Sequence, residues 1–251
     1  MSNRRTRFAV LLLAFLVTPA LGTAQTSCPP LDTAAAWARV NRGWANEAGL
    51  RWSNDSLRRV LLDLRERDQA ARVEFAARAT DTLYIRTLMA RDSALSAQMT
   101  VILDRFGLPT RAMVGAKGSD AALLIVQHSA SLQARVFQLA RAAQPGQISA
   151  ERLAMLEDRV LVQQGKPQRY GTQFSLAPDG RFAFAPTSDT TSLDALRIAA
   201  GMPPLAQYVC LLEENGMRVD RSTLPPRFRT SGDPELQMNP AGIVFPARRR
   251  P

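Results

Sequence analysis

The chain has 251 residues, 46% of them hydrophobic, with 32 basic against 22 acidic side chains, one His and two Cys. That length and apolar content suit one domain of ordinary size with flanking segments, and exclude a wholly disordered chain. One His and two Cys exclude most zinc, haem and iron–sulfur sites, which take three or four nitrogen or sulfur donors, so neither metal nor cofactor is expected.

Arg4, Arg5 and Arg7 precede an unbroken apolar run from Phe8 to Val17, and Gly22-Thr23-Ala24 follows as a small-x-small cleavage site. This is the pattern of a secretory signal peptide over residues 1–24. The run is short of the roughly 20 residues that span a bilayer, which disfavours the rival reading of a retained anchor. A lipoprotein fits less well, because Cys28 lacks the Leu and small residues that precede a lipidated Cys. No later stretch is apolar enough for a transmembrane helix. The mature protein is therefore expected to be exported, periplasmic or secreted, after cleavage near Ala24.

Residues 25–53 form an N-terminal segment, with Asp32 or Thr33 capping a helix to about Ala48 that carries Trp37 and Trp44 on one face. Residues 54–221 form the main domain. Asn54-Asp55 cap a second helix to about Ala79, with Leu57, Val60, Leu61, Leu64 and Phe75 as its buried stripe. Thr80-Asp81 start a third, through Leu88, Leu95, Met99 and Ile102 to Gly107. Residues 115–118 read as a loop, and Ser119-Asp120 cap a fourth helix running to Ala143. Ser149 caps a fifth, closing near Gly165. Two partly alternating segments around Pro178-Asp179-Gly180 read as a small β-hairpin. A short helix from Thr191 or Ser192 to Ala200 and a last one from Pro203-Pro204 to about Asn215 complete the domain. Residues 222–251 read as a flexible tail rich in Pro and Arg. The fold class is mainly α, an antiparallel helical bundle with one small hairpin insert.

Signal cleavage removes three Arg and no acid, so the net charge falls from +10 to +7. Only Lys117 and Lys166 are Lys, an Arg preference that reflects codon composition. The Arg are scattered among acids rather than gathered with aromatic platforms, so nucleic acid is excluded as the main partner. The three terminal Arg allow weak contact of the tail with anionic surfaces. In an oxidising compartment Cys28 and Cys210 are a candidate disulfide. The alternative is a buried Cys210 and a free Cys28.

The fourth helix carries the most informative stretch. Ala121 to Val126 are consecutive apolar residues, so every face is covered, and Gln127-His128 follows at once. If the fourth and fifth helices pack antiparallel, His128 lies level with position 164, beside the run Gly165 to Gln173 with Gln168, Tyr170 and Gln173. Asp158 sits further along, so Asp158 and Arg159 are read as anchoring that loop or pairing with the second helix. Asp68 and Arg72 are spaced i, i+4: the plain reading is an exposed ion pair worth a few tenths of a kcal/mol, the sharper one a pair pointing into the cleft of His128.

Asp68-Gln-x-x-Arg72, Gly107-Leu108-Pro109, Val126-Gln127-His128, Asp158-Arg159 and Gly165-x-x-Gln168-x-Tyr170-Gly-Thr-Gln173 together resemble a family of bacterial domains without an assigned function, many of them exported. The resemblance spans roughly residues 57–208. Leu108 stands where the family would have Trp, which touches only a packing contact. The resemblance implies no activity.

Three readings remain. In an enzyme, His128 would be the general base and Tyr170 a hydrogen-bond donor to an oxyanion, with Gln127, Gln168 and Gln173 orienting a polar substrate and Asp68 or Asp158 fixing the imidazole tautomer. No known catalytic motif accompanies them, which leaves a lone-His hydrolase or lyase. In a binding module, the amides, phenol and Arg would hold a small polar ligand or peptide. In the third reading the cluster is a structural hydrogen-bond network.

Overall fold

A computed structural model describes Cys28 and residues 35–229. The expected signal peptide and the terminal Arg lie outside these residues. The chain is mainly helical, with a small sheet, as the periodicities indicate. Among the described residues no helix is long and apolar enough to cross a membrane.

The first helix, α1 (Ala36–Ala45), ends earlier than expected, at an extended Asn46. It lies outside the bundle but is hydrogen-bonded to it. Trp44 Nε1 donates to Asp120 at 2.9 Å, Asn41 Nδ2 to Glu151 at 3.2 Å and to the Gly201 carbonyl at 2.7 Å. Helix α2 (Asp55–Ala70) is capped by the Asn54 side chain and buries Leu57, Leu61 and Leu64. It stops nine residues short of the expected Ala79, and a turn leads to the short α3 (Phe75–Arg78). The cause is local. Arg72 Nη1 takes the Asp68 carbonyl at 3.1 Å, and the Arg72 amide bonds Gln69 instead of Asp68, so the side chain replaces the next helical bond.

Helix α4 (Thr82–Phe106) is capped by the Asp81 carboxylate and ended by Gly107. Helix α5 (Arg111–Gln127) corrects the loop expected at 115–118: the helix runs through it with one kink at Gly115, φ 71°. A Cβ there would lie 2.1 Å from Arg58 Nη1 and 2.5 Å from Glu47 Oε1, so this position needs Gly both for its backbone and for the ion pair pressed against it. The helix expected to run unbroken to Ala143 is also two. It breaks at His128, and α6 (Ala130–Ala142) resumes after Ser129. The Gln127 carbonyl, which an uninterrupted helix would use, is taken by the Gln133 side chain at 2.8 Å.

Helix α7 (Ala150–Gln163) follows, then β1 (Phe174–Leu176) and β2 (Phe182–Phe184), the expected hairpin, in antiparallel register Phe174↔Phe184. After α8 (Leu193–Ala199) and α9 (Leu205–Glu214), a third strand not foreseen from the sequence, β3 (Val219–Asp220), pairs parallel to β2. Two 3₁₀ turns bury Leu224 and Phe228, so the segment expected to loosen at Ser222 stays packed as far as Arg229.

Two large apolar clusters and a small one form the core. The first joins α2, α4, α5, α6 and α7; the second joins α3, the sheet, α9 and the 3₁₀ turns; the small one packs Ala154 and Met155 of α7 against Ala200 and Met202. Leu64 belongs to the first and Ala71 to the second, which puts Asp68 at their junction. Cys28 and Cys210 form a disulfide across 182 residues, tying the N-terminal segment to α9.

Candidate functional site

The end of α2, the middle of α4 and the end of α5 bring four polar side chains together. Asp68 is fully buried. Its Oδ1 accepts from Arg72 Nη1 at 2.8 Å and from His128 Nδ1 at 2.8 Å, and its Oδ2 from Gln69 at 2.7 Å. Arg72 Nη2 reaches Asp92 Oδ1 at 2.7 Å. The Arg72 and His128 side chains are each 3% exposed. The exposed-pair reading of Asp68 and Arg72 is therefore overturned: the pair is sealed in the interior, where breaking it is costly.

The charge states follow from the surroundings. Burial works to raise the Asp68 carboxyl, but the His128 hydrogen bond and the charges of His128 and Arg72 outweigh it and hold the carboxyl below 3.8. Burial presses His128 below 6.5, against the pull of the Asp68 bond and with the Arg72 charge adding to the fall. A carboxylate facing a neutral imidazole makes Nδ1–H the donor to Asp68 and leaves the Nε2 lone pair as the ring's acceptor. Arg159, 2% exposed, is pushed by burial to about 9, with Tyr208 and Asp92 opposing and Arg72 assisting.

The ligand atoms of Asp68, Asp92 and His128 lie within 4.8 Å of one another, close enough to share a cation. The Arg72 guanidinium bonds both carboxylates, so the positive charge between them is supplied by this chain, and a metal there would have to displace it.

Asp158 organises a second centre. It is fully buried at the inner side of the loop after α7 and accepts from the amides of Arg169 (2.6 Å), Tyr170 (2.9 Å) and Thr172 (3.0 Å) and from the Thr172 hydroxyl (2.8 Å). Burial raises its carboxyl even against these donors. Gln168 works beside it: its Oε1 accepts from the Gln173 amide at 2.8 Å, and its Nε2 donates to the Ala185 carbonyl at 2.7 Å. Gln173 Nε2 donates to the Thr172 hydroxyl at 2.8 Å. Gln168 and Gln173 thus tie the loop to the hairpin.

Of the two carboxylates considered for the imidazole, it is Asp68 that hydrogen-bonds His128. Tyr170 is placed elsewhere: its half-buried ring packs against Ala154, Met155, Ala200 and Met202, and its amide and carbonyl serve Asp158 and Arg197. Gln127 is buried with Nε2 near Met155 Sδ at 3.7 Å, a weak contact, and its Oε1 has no protein partner. Two surface grooves open nearby. One, of about 630 Å³, borders the outer side of the loop; the other, of about 360 Å³, lies over Ala71 and Tyr84. His128 lines neither.

The sequence reading missed Asp92, Arg197 and Tyr208. Asp92 had a signal: it falls on the inward stripe of Ile85, Leu88, Leu95, Met99 and Ile102, where a charge needs a buried partner. Arg197, fully buried, donates to the Tyr170 and Gly171 carbonyls at 2.7 and 3.1 Å and to Pro203 at 2.8 Å, with its guanidinium 4.7 Å from the Tyr208 ring. Nothing in its local sequence marks it.

A family model described as "Family of unknown function (DUF6624)" matches residues 55–220. No curated protein and no solved structure matches the chain.

Proposed function

Because the chain belongs to this family of unknown function, DUF6624, membership brings no activity with it, and we propose that it is an exported helical domain of the cell envelope whose buried polar residues are architectural. The observation that carries this reading is the closure of His128: a 3% exposed side chain, bonded to a fully buried carboxylate at 2.8 Å. A general base must reach the proton it abstracts directly or through one water. On this reading Asp68, Arg72, Asp92 and His128 join α2, α4 and α5, while Asp158, Gln168 and Gln173 fix the loop after α7. A buried polar network in which the partners match stiffens and specifies a core. The disulfide supports export, since such bonds persist in oxidising compartments.

The chain has a single His, so the ultraviolet absorbance of the carbethoxy-imidazole formed with diethyl pyrocarbonate reports on His128 alone. The native protein should resist modification and become reactive only on denaturation. Rapid modification of the folded protein would sink the architectural reading.

A second reading rests on the Asp68–His128 bond itself. A buried carboxylate holding Nδ1–H presents Nε2 as a base, the arrangement of acid/base catalysts. A lone-His hydrolase or lyase would need an opening of the fold that admits substrate, and fast modification of His128 would favour it.

A further inference from the structure

The Gly165 to Gln173 loop has an outer side as well as the inner one that Asp158 and Gln168 hold. There, α7, the loop, the segment after β2 and α8 line the open groove of about 630 Å³, within the volume range of small-molecule sites. Its walls carry two cations, Lys166 and Arg169, and two carboxylates, Glu157 and Asp189, over apolar ground that includes Leu161 and Leu196.

We propose that this groove binds a zwitterionic ligand of dipeptide size, its carboxylate toward Lys166 and Arg169, its ammonium toward Glu157 and Asp189, and an apolar side chain over Leu161 and Leu196. Three observations converge. The four charges balance, so a ligand of one sign would leave a pair of wall charges facing its own kind, whereas a zwitterion complements both. The cations are available: Lys166 makes no ion pair among the described residues, and Arg169 meets Glu157 only at 3.5 Å with its side chain 49% exposed. Such exposed pairs are weak and exchange readily. Finally, the walls are held in place. The Arg169 amide is bonded to Asp158, and the Gln168 carbonyl accepts from the Ser188 amide at 2.9 Å, so the loop and the opposite wall are joined before any ligand arrives. Asp189 is itself fixed by the Thr191 amide at 2.7 Å and by the Ser192 hydroxyl. Preorganisation of this kind lowers the ordering cost of binding.

The groove is not lined by His128, so this inference stands or falls separately from the architectural reading. The test is isothermal titration of the mature, oxidised protein with leucyl-leucine, its N-acetyl derivative and its C-terminal amide. Leucyl-leucine should bind, and blocking either end should weaken binding about tenfold, or ~1.4 kcal/mol. Lys166→Ala should weaken leucyl-leucine by a similar factor but leave the amide unchanged, with an unaltered melting temperature because Lys166 is exposed. No binding of leucyl-leucine, capped forms that bind as tightly as leucyl-leucine, or indifference of leucyl-leucine to Lys166→Ala would each overturn the proposal.

Discussion

Asp68 and His128, sixty positions apart, are joined by one hydrogen bond of 2.8 Å between Oδ1 and Nδ1, and both side chains are closed to solvent. The same Oδ1 also takes Arg72, so the imidazole and the guanidinium share one oxygen. Removing the imidazole leaves the buried Asp68 one donor short, and removing the guanidinium leaves Asp68 and Asp92 without the cation they share.

His128→Ala should therefore lower stability by about 1–3 kcal/mol, the cost of leaving a buried group without its bond. For a domain of this size that is a fall of roughly 2–12 °C in melting temperature, read by calorimetry. An unchanged melting temperature would mean that the imidazole contributes nothing to the fold.

The same pair makes the fold acid-labile. His128 is held below 6.5 in the folded state, so its contribution is complete above 6.5 and is lost as pH falls through the folded value. Asp68 is held below 3.8, so its contribution is present above 3.8 and lost at still lower pH. Melting temperature should begin to drop below about pH 6.5. In His128→Gln that first limb should flatten.

Glu151 and Asp120 act in the opposite sense. Burial raises both carboxyls above their ordinary values of 4.5 and 3.8, so their charged forms cost stability that returns as pH falls. Glu151→Gln, which keeps an acceptor for Asn41, should raise the melting temperature at neutral pH. The difference from wild type should shrink toward pH 4.5.

Asp158→Ala removes the common acceptor of three amides and a hydroxyl. Hydrogen bonds to a charged group contribute about 1.5–3 kcal/mol each, and not additively, so a loss of at least that size is expected. Hydrogen exchange should quicken at Arg169, Tyr170 and Thr172 before the core helices. Uniform exchange throughout the chain would show that Asp158 does not act on the loop in particular.

Reduction of Cys28–Cys210, or Cys210→Ser, should lower stability by about 4–5 kcal/mol, because the closed loop is long. The drop should be largest in the oxidised wild type and absent when the Ser variant is treated with reductant.

Much of the helical order was legible along the chain. Asn54, Asp81 and Ser149 stand where caps must stand, their side chains accept the first orphan amides, and the turn at Pro178-Asp179-Gly180 joins the two strands. The early end of α2 and the break at His128 were not legible, since neither has Gly or Pro. At Arg72 and at Gln133 a side chain takes a backbone carbonyl from the next turn, and such competition depends on what else that side chain must satisfy. Within the candidate site, Asp68, Arg72, His128 and Asp158 stood out, Asp68 as one of two carboxylates considered for His128 and Asp158 as an anchor of the loop, but Asp92, which completes the pairing of Arg72, did not. The expected antiparallel packing of the fourth and fifth helices set His128 beside the loop, whereas in the structure its ring meets Asp68 of α2.

The sequence by itself determined the mainly helical class, the hairpin and the candidate pairing of the only two cysteines, because periodicity, capping and composition act over a few residues at a time. Only the tertiary structure decided that the Asp68–Arg72 pair is buried, that Asp92 completes it and that β3 joins the hairpin. Those outcomes depend on which distant surfaces exclude water together, and burial is what converts a common i, i+4 pair into the centre of a network.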